Sequence, residues 1–417
     1  MLKKIIGIYL LTVLLSTAAI ADSRQVFEQH ESAVMQIRVI NLETGKKTSI
    51  GSGFIVHQGR HLASNFHVVS DYVDEPDRFR LEYINNQGGR GDLKLIDIDV
   101  VHDLALLSTT EHLGQAIQIA PTPAKGETIY AMGNPHDLGL TIAVGTNGGV
   151  LNQTDDSRIL FSGSLNPGMS GGPTFDEQGQ LVGINVATAR NDISFIVPAN
   201  YLEQLIENAK ARNFSELDNF KKAIGLQLAN KQKDYLRGIT QAGWADTQIK
   251  SFRLPSAISP TIRCWDDSPK LLSEQRYKRF SIRCKNENSI YLNSRIDVGK
   301  IVFEYLWLES DQLNPVTFSR LYQRLNSSQI TSRAKKQDVS LFNCNTHFVN
   351  IAGKPFKTTL CRRDYVEHPE LSDLIFTAAM VGQGKRGFIF NFDLIGTHHE
   401  SAIGLLKRLL EEMKWQP

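Results

Sequence analysis

A serine set between glycines is the first feature of this chain that could do chemistry, in the run Asn166-Pro167-Gly168-Met169-Ser170-Gly171-Gly172-Pro173. Glycines on both sides point to backbone packed too closely for side chains. Such a loop can turn amide N–H groups toward a point where negative charge develops. A hydroxyl is a weak nucleophile at neutral pH, so it needs an adjacent base. Gly, Pro, Ser and Asn all favour turns as well, and composition alone favours a plain connection between strands. The other reactive residues are Cys264, Cys284, Cys344 and Cys361, all in the second half. An even count suggests two disulfides, for which four cysteines permit about three connectivities. The near-repeat Ile262-Arg263-Cys264 and Ile282-Arg283-Cys284 reads as two paired strands, which favours 264–284 and 344–361 and leaves the connectivity open. A zinc site would normally show a close Cys-x-x-Cys pair, which is missing. Thr397-His398-His399-Glu400 offers metal-ligating types, but a helix start after a strand explains it without metal.

The elements that must carry these residues change character along the chain. From Ala33 to about Pro198 the sequence reads as short strands broken by glycine and polar turns. Val34–Ile40, Gly53–Val56, Leu62–Phe66, Phe79–Tyr83, Leu104–Leu107, Thr128–Met132, Ile159–Ser162 and Leu181–Val186 are the clearest. Many short strands at this spacing predict an antiparallel barrel or sandwich. From Asn200 to about Arg212 the period becomes helical, with Leu202, Leu205 and Ile206 on one face, and Ser215 to Arg237 continues as polar helical connection. Further on, strands are expected at Phe280–Cys284, Lys300–Leu308, Leu341–Cys344 and Gly387–Asp393. Helices are expected at Phe318–Leu325 and Glu400–Met413, the last with Ile403, Leu406, Leu410 and Met413 at core spacing. This half is predicted to be an α+β domain whose last helix packs on a sheet.

Several segments in order carry a resemblance. Gly51-Ser52-Gly53-Phe54-Ile55-Val56 precedes Leu62-Ala63-Ser64-Asn65-Phe66-His67-Val68-Val69. Asp103-Leu104-Ala105-Leu106-Leu107, Gly133-Asn134-Pro135 and the serine loop follow, then Leu181-Val182-Gly183-Ile184-Asn185 and Phe195-Ile196-Val197-Pro198. Together they closely resemble the protease domain of the HtrA/Deg family of trypsin-like serine peptidases, over about Val26 to Tyr201. The resemblance implies an all-β double β-barrel, six strands in each, with the active site between them. It implies that His67, Asp103 and Ser170 form a catalytic triad, with His67 as general base, and that the amides of Gly168 and Ser170 hold the oxyanion. By the same likeness Ser164 stands at the base of the specificity pocket, and Ile184, Asn185, Val186 and Ala187 form the strand that pairs with substrate. Without a carboxylate at the pocket base, a small or aliphatic residue before the cut is expected. No organic cofactor or metal is implied. Met169 departs from the family's usual Asn or Asp before the serine. Ala223-Ile224-Gly225-Leu226-Gln227 superficially resembles the start of a PDZ domain, but the expected downstream pattern is missing, so the C-terminal half is expected to be a different module. It is expected either to capture substrate, to regulate, or only to stabilise.

The expected organisation is a signal peptide over 1–21, a trypsin-like protease domain over 22–205, a helical connector over 206–250 and a smaller-sheet α+β domain over 251–417. Lys3 and Lys4, the apolar run Ile5 to Leu15 and Ala19-Ile20-Ala21 have the pattern of a cleavable signal peptide, cut after Ala21, and place the protein in the periplasm or outside the cell. The run is shorter than the roughly 20 residues of a permanent anchor, so no stable membrane anchor is expected after cleavage. With 417 residues, 41% hydrophobic content and a net charge of +2, the chain is long enough for two cores and gives no charge argument for nucleic acid. Polypeptide substrates, unfolded or damaged envelope proteins in particular, are the expected partners. A narrow processing protease and a catalytically silent binding or holdase protein are the alternatives. The family often forms trimers through its N-terminal segment, for which residues 22–32 are available here.

Overall fold

The computed structural model describes residues 22–151, 157–186, 194–269, 276–287, 289–326 and 333–416. The expected signal peptide and Ala187 lie outside them. Helix α1 (Ser23–His30) opens the chain, with Asp22 accepting the amide of Gln25 at 2.9 Å as its N-cap. Its buried residues Val26 and His30 rest on the chain's own second barrel, where the His30 ring stacks on Phe175 at 4.1 Å. Six strands follow with one helix between them: β1 (Val34–Asn41), β2 (Lys47–His57), β3 (His61–Ser64), α2 (Phe66–Asp74), β4 (Phe79–Ile84), β5 (Arg90–Asp99) and β6 (Leu104–Ser108). They close in the order β1-β2-β3-β6-β5-β4. Strand β1 is buried along nearly all its length, because one face fills the barrel while α2 covers its flank.

The second barrel is built from β7 (Thr128–Gly133), β8 (Thr141–Val150), β9 (Ile159–Phe161), β10 (Pro173–Phe175), β11 (Leu181–Val186) and β12 (Ser194–Pro198), closed as β10-β11-β12-β9-β8-β7. Closure leaves neither barrel an open edge. The expected double barrel is therefore present. The predicted strand Leu62–Phe66 ends earlier, at Ser64, because Asn65 takes an extended N-cap conformation and Phe66 begins a helix.

Helices α3 (Ala199–Ala211) and α4 (Phe220–Gln241) then leave the barrels. Residues 223–227 lie within α4, not at the start of a strand. Ile224, Leu228 and Ala229 of α4 belong to the core of the first barrel, whereas Leu236 and Ile239 belong to that of the C-terminal half. One helix thus shares its length between two cores, which ties the halves together by apolar burial.

The C-terminal half contains β13 (Ala245–Ile249), β14 (Phe252–Ala257), β15 (Ile262–Asp266), β16 (Lys278–Asn286), a hairpin of β17 (Ile290–Asn293) and β18 (Ile296–Val298), β19 (Lys300–Glu309), α5 (Pro315–Leu325), β20 (Asn343–Ile351), β21 (Lys354–Asp364), β22 (Leu371–Met380), β23 (Arg386–His398), α6 (His399–Glu412) and β24 (Lys414–Trp415). Seven strands form an antiparallel sheet in the order β15-β16-β19-β23-β22-β21-β20. As expected, the last helix packs on this sheet. Its buried face is Ala402, Leu405, Leu406, Leu409 and Met413, with Ile403 and Leu410 only partly covered, a small rotation from the expected stripe. Among the described residues no helix is long and apolar enough to cross a membrane.

Both favoured disulfides are formed, Cys264–Cys284 between facing positions of β15 and β16, and Cys344–Cys361 between facing positions of β20 and β21. They pin the two outermost strand pairs of the sheet. With its cysteines 20 positions apart, the first is worth about 3 kcal/mol on a loop-closure estimate. Replacing Cys264 and Cys284 together by serine is expected to lower the urea midpoint of the C-terminal half. An unchanged midpoint would assign that edge no role in stability.

Candidate active site

The start of α2 places His67 in a helix's first turn, where backbone N–H groups lack partners within the helix. Asp103 supplies two of them. Its carbonyl oxygen accepts the Phe66 amide at 3.2 Å, and its Oδ1 accepts the His67 amide at 2.9 Å. Oδ2 of the same carboxylate lies 2.7 Å from His67 Nδ1. One acidic side chain therefore caps the helix and orients the ring, and negative charge at a helix N-terminus is favourable in itself. Asp103 takes φ of 60° in the tight turn between β5 and β6, a conformation Asp tolerates better than most residues. Asn65 Nδ2 donates to the Asp103 carbonyl at 2.8 Å and holds that turn against the helix start. Behind it, Gln227 of α4 accepts from the Val100 amide at 2.9 Å and donates to the Ile98 carbonyl at 2.8 Å, bracing the strand that leads into Asp103.

The serine loop reaches the same place from the second barrel. Gly168 and Gly171 have φ of 97° and 82°, which L side chains rarely adopt. A Cβ on Gly171 would lie under 3.0 Å from Ser52 O, Ser64 Oγ and the Asn65 amide. A Cβ on Gly51 would collide with Val68 and press on the Ser170 carbonyl. Glycine at both positions lets the Ser170 loop lie directly against the first turn of α2. Ser170 itself is buried.

Ser52 fastens this approach. Its amide donates to the Ser170 carbonyl at 2.7 Å, its hydroxyl donates to the Gly168 carbonyl at 2.8 Å, and the same oxygen accepts the Asn134 amide at 2.8 Å. Asn185 fastens it from the other side. Its amide donates to the Gly172 carbonyl at 2.8 Å and its carbonyl accepts the Gly171 amide at 3.0 Å. Its buried side chain accepts from Thr174 Oγ1 at 2.5 Å and donates to the Met132 carbonyl at 2.7 Å. Ile184 is buried and paired on both edges, with Pro173 and Val197. Val186, at the end of β11, is paired with Phe195 of β12. Ser164 is exposed at the end of the second barrel's loop.

Residues 51–184 match the family model described as "Trypsin-like peptidase domain". The chain is 25% identical over 264 residues to a protein named Serine protease HTRA1 from Xenopus laevis, covering 58% of this chain and 54% of that one. It is 28% identical over 214 residues to a Probable periplasmic serine endoprotease DegP-like from Bartonella henselae, covering 48% of this chain and 36% of that one. The chain spans about half the length, or less, of these curated relatives. Among solved structures, a serine endoprotease from Yersinia pestis aligns with a TM-score of 0.39 and 25% identity, over 45% of this chain and 66% of that one. The barrel pair is an HtrA-like, trypsin-fold peptidase domain.

Within this HtrA-like domain the Met169 departure has a packing explanation. The side chain is 1% exposed and joins Ile129, Phe161, Val182 and Ile196 in the core of the second barrel, so it anchors the serine loop by apolar burial. His57 and His61 lie apart from the site, both stacked on Phe214 at 4.7 and 4.0 Å. His398 ends β23, with Nδ1 3.0 Å from Ser401 Oγ at the start of α6.

The roles of Ser52 and Asn185 as fasteners escape sequence reading, because a small polar residue beside glycines looks the same whether it faces water or a carbonyl. Asp137 escapes it too. On the turn after Gly133-Asn134-Pro135, its carboxylate accepts from Gln36 Nε2 at 2.8 Å and Arg38 at 2.9 Å, and pairs with Lys47, tying the second barrel to the first. His136 of this turn donates its amide to the Pro167 carbonyl at 2.8 Å, so the tie braces the serine loop. The hydrogen bonds from Lys47 and Gln36, aided by the cationic Arg38 and Lys47, lower the Asp137 carboxyl from 3.8 to about 2. The unfolded chain therefore takes up this proton first as pH falls. The stabilisation is complete above pH 3.8 and is lost on descending toward about 2. Melting temperature against pH should fall over that window for wild type and less steeply for Asp137→Asn. Parallel curves would dismiss the tie.

Proposed function

We propose that this chain is an exported serine endopeptidase that cuts polypeptides through an acyl-enzyme. The observation that carries the reading is the two-point hold of Asp103 on His67, at the place where the glycine-flanked Ser170 loop meets the same helix turn. With Nδ1 committed to Asp103, the imidazole presents Nε2 as its acceptor. Nε2 takes the proton of Ser170 as Oγ attacks the peptide carbonyl carbon, then gives it to the amine as the C–N bond breaks. Water repeats the sequence to release the acid and restore Ser170. Asp103 stabilises the imidazolium in both halves, and the amides of Gly168 and Ser170 hold the oxyanion.

Substrate would pair along Val186 and Ala187, with Ser164 at the pocket base and a small or aliphatic residue before the cut. The DegP-like relative is named as periplasmic. That likeness and the expected signal peptide support export, and with it unfolded or damaged envelope proteins as substrates.

Labelling with a fluorophosphonate, whose phosphorus takes the serine oxygen while fluoride leaves, tests the reading. Wild type should be labelled and Ser170→Ala should not. A folded wild type that stays unlabelled would instead favour a silent scaffold. Digestion of casein against a peptide library then separates broad from narrow specificity.

A further inference from the structure

Strands β17 and β18 do not join the seven-stranded sheet of their own half. They form a separate two-stranded hairpin that packs on α2, the helix that carries His67. Ile290, Leu292, Ile296 and Val298 are all buried, and all belong to the core of the first barrel. At the end of the hairpin Arg295 is held by Asp338 at 2.9 Å and lies 3.9 Å from Asp74 on α2. Apolar burial on one side and an ion-pair link on the other fix where this hairpin sits.

That placement sets Tyr291 beside the candidate centre. Its ring meets the His67 imidazole edge-on, with centroids 6.0 Å apart. Its hydroxyl lies 3.3 Å from Ser70 Oγ, and Ser70 Oγ donates to the His67 carbonyl at 3.0 Å. Ser70 has one hydroxyl proton, spent on that carbonyl, so the phenol must be the donor between them. The relay runs from Tyr291 through Ser70 to the backbone of His67. Burial raises the phenol above its ordinary pKa of 10.0, which keeps it a donor at neutral pH.

We propose that Tyr291, supplied by the C-terminal half, is a positioning residue for the peptidase centre, holding the first turn of α2 and the His67 ring in the orientation Asp103 selects. Asp103 grips the ring at Nδ1 and the helix at its amide. Tyr291 adds an edge-on aromatic contact to the ring and, through Ser70, a link to the His67 carbonyl. The C-terminal half is thereby part of the catalytic apparatus and not only a stabilising appendage. The inference rests on the peptidase reading above.

The test measures kcat, KM and melting temperature on the full chain, with active sites counted by fluorophosphonate labelling. Tyr291→Ala is expected to lower kcat per labelled site by about 10- to 100-fold with KM little changed, the scale of a small misplacement of a catalytic group. Tyr291→Phe, which restores the ring, is expected to recover most of the loss and stay about 3-fold below wild type for want of the hydrogen bond. Leu409→Ala removes buried surface from the core of the C-terminal half away from the hairpin, so it should lower the melting temperature and leave kcat per site alone. Wild-type kcat per site in Tyr291→Ala would overturn the proposal while labelled wild type leaves the peptidase reading standing. An unlabelled wild type would overturn both. If Tyr291→Ala does not fold, Ser70→Ala and Tyr291→Phe decide: reduced kcat in both supports the relay, and wild-type kcat in both overturns it.

Discussion

Replacing Ser170 by alanine is expected to lower kcat/KM by about a million-fold while leaving the fold intact. On the mechanism proposed above the loss is large because the hydroxyl forms the covalent bond on which both halves of the reaction depend. The fold survives because the loop is held by groups the substitution keeps. Ser52 still donates its amide to the carbonyl at position 170, and Asn185 still accepts the Gly171 amide. Residual turnover over water of about a thousand-fold or more is expected from the oxyanion donors and substrate binding alone. Purified variant and wild type, compared for kcat/KM on one peptide and for melting temperature, give the answer. A loss smaller than ten-fold would remove Ser170 from the chemistry.

Asp103→Asn comes second, with an expected fall in kcat of about ten thousand-fold. The geometry explains why so similar a side chain fails. An amide at this position can keep its oxygen toward the His67 amide, preserving the helix cap now made at 2.9 Å. Its nitrogen must then face Nδ1 across the 2.7 Å contact, and an N–H there donates where the carboxylate accepts. The ring responds by carrying its proton on Nε2, toward Ser170, and can no longer take the serine's proton. The variant should therefore fold with a near-normal melting temperature and be almost inactive. A large drop in stability with kcat intact would make Asp103 a capping residue alone.

Both predictions concern residues singled out by the resemblance of their segments to a known family. Ser170 needs glycines where φ is positive, and Asp103 needs the turn before an apolar strand. The residues that hold them were not legible. Ser52, Asn185, Gln227 and Asp137 are ordinary polar residues, each made specific by a backbone group or an ion from a distant segment. Met169 departs from the family's usual Asn or Asp, and only its burial in the second barrel shows it as the loop's anchor.

The C-terminal half divides in the same way. Local alternation and helical periodicity brought out β16, β19, β23, α5 and α6 within a few residues, and the repeated Ile-Arg-Cys pattern pointed to the disulfide that β15 and β16 form. The edge strand β20 was largely missed because most of it is exposed, so burial leaves no period-2 pattern along it.

What the chain's order of residues determined by itself is the set of local conformations: short strands broken by turns, the glycine-bearing serine loop, and a near-repeat around two cysteines that favoured one pairing. These follow from backbone sterics and from which side chains must leave water within a few residues of one another. Only the tertiary structure decided that a hairpin some two hundred residues beyond His67 would dock on its helix and bring Tyr291 beside it. That outcome depends on the match of two apolar surfaces, Ile290 to Val298 on one side and α2 on the other, and a match between distant surfaces leaves no period in either segment.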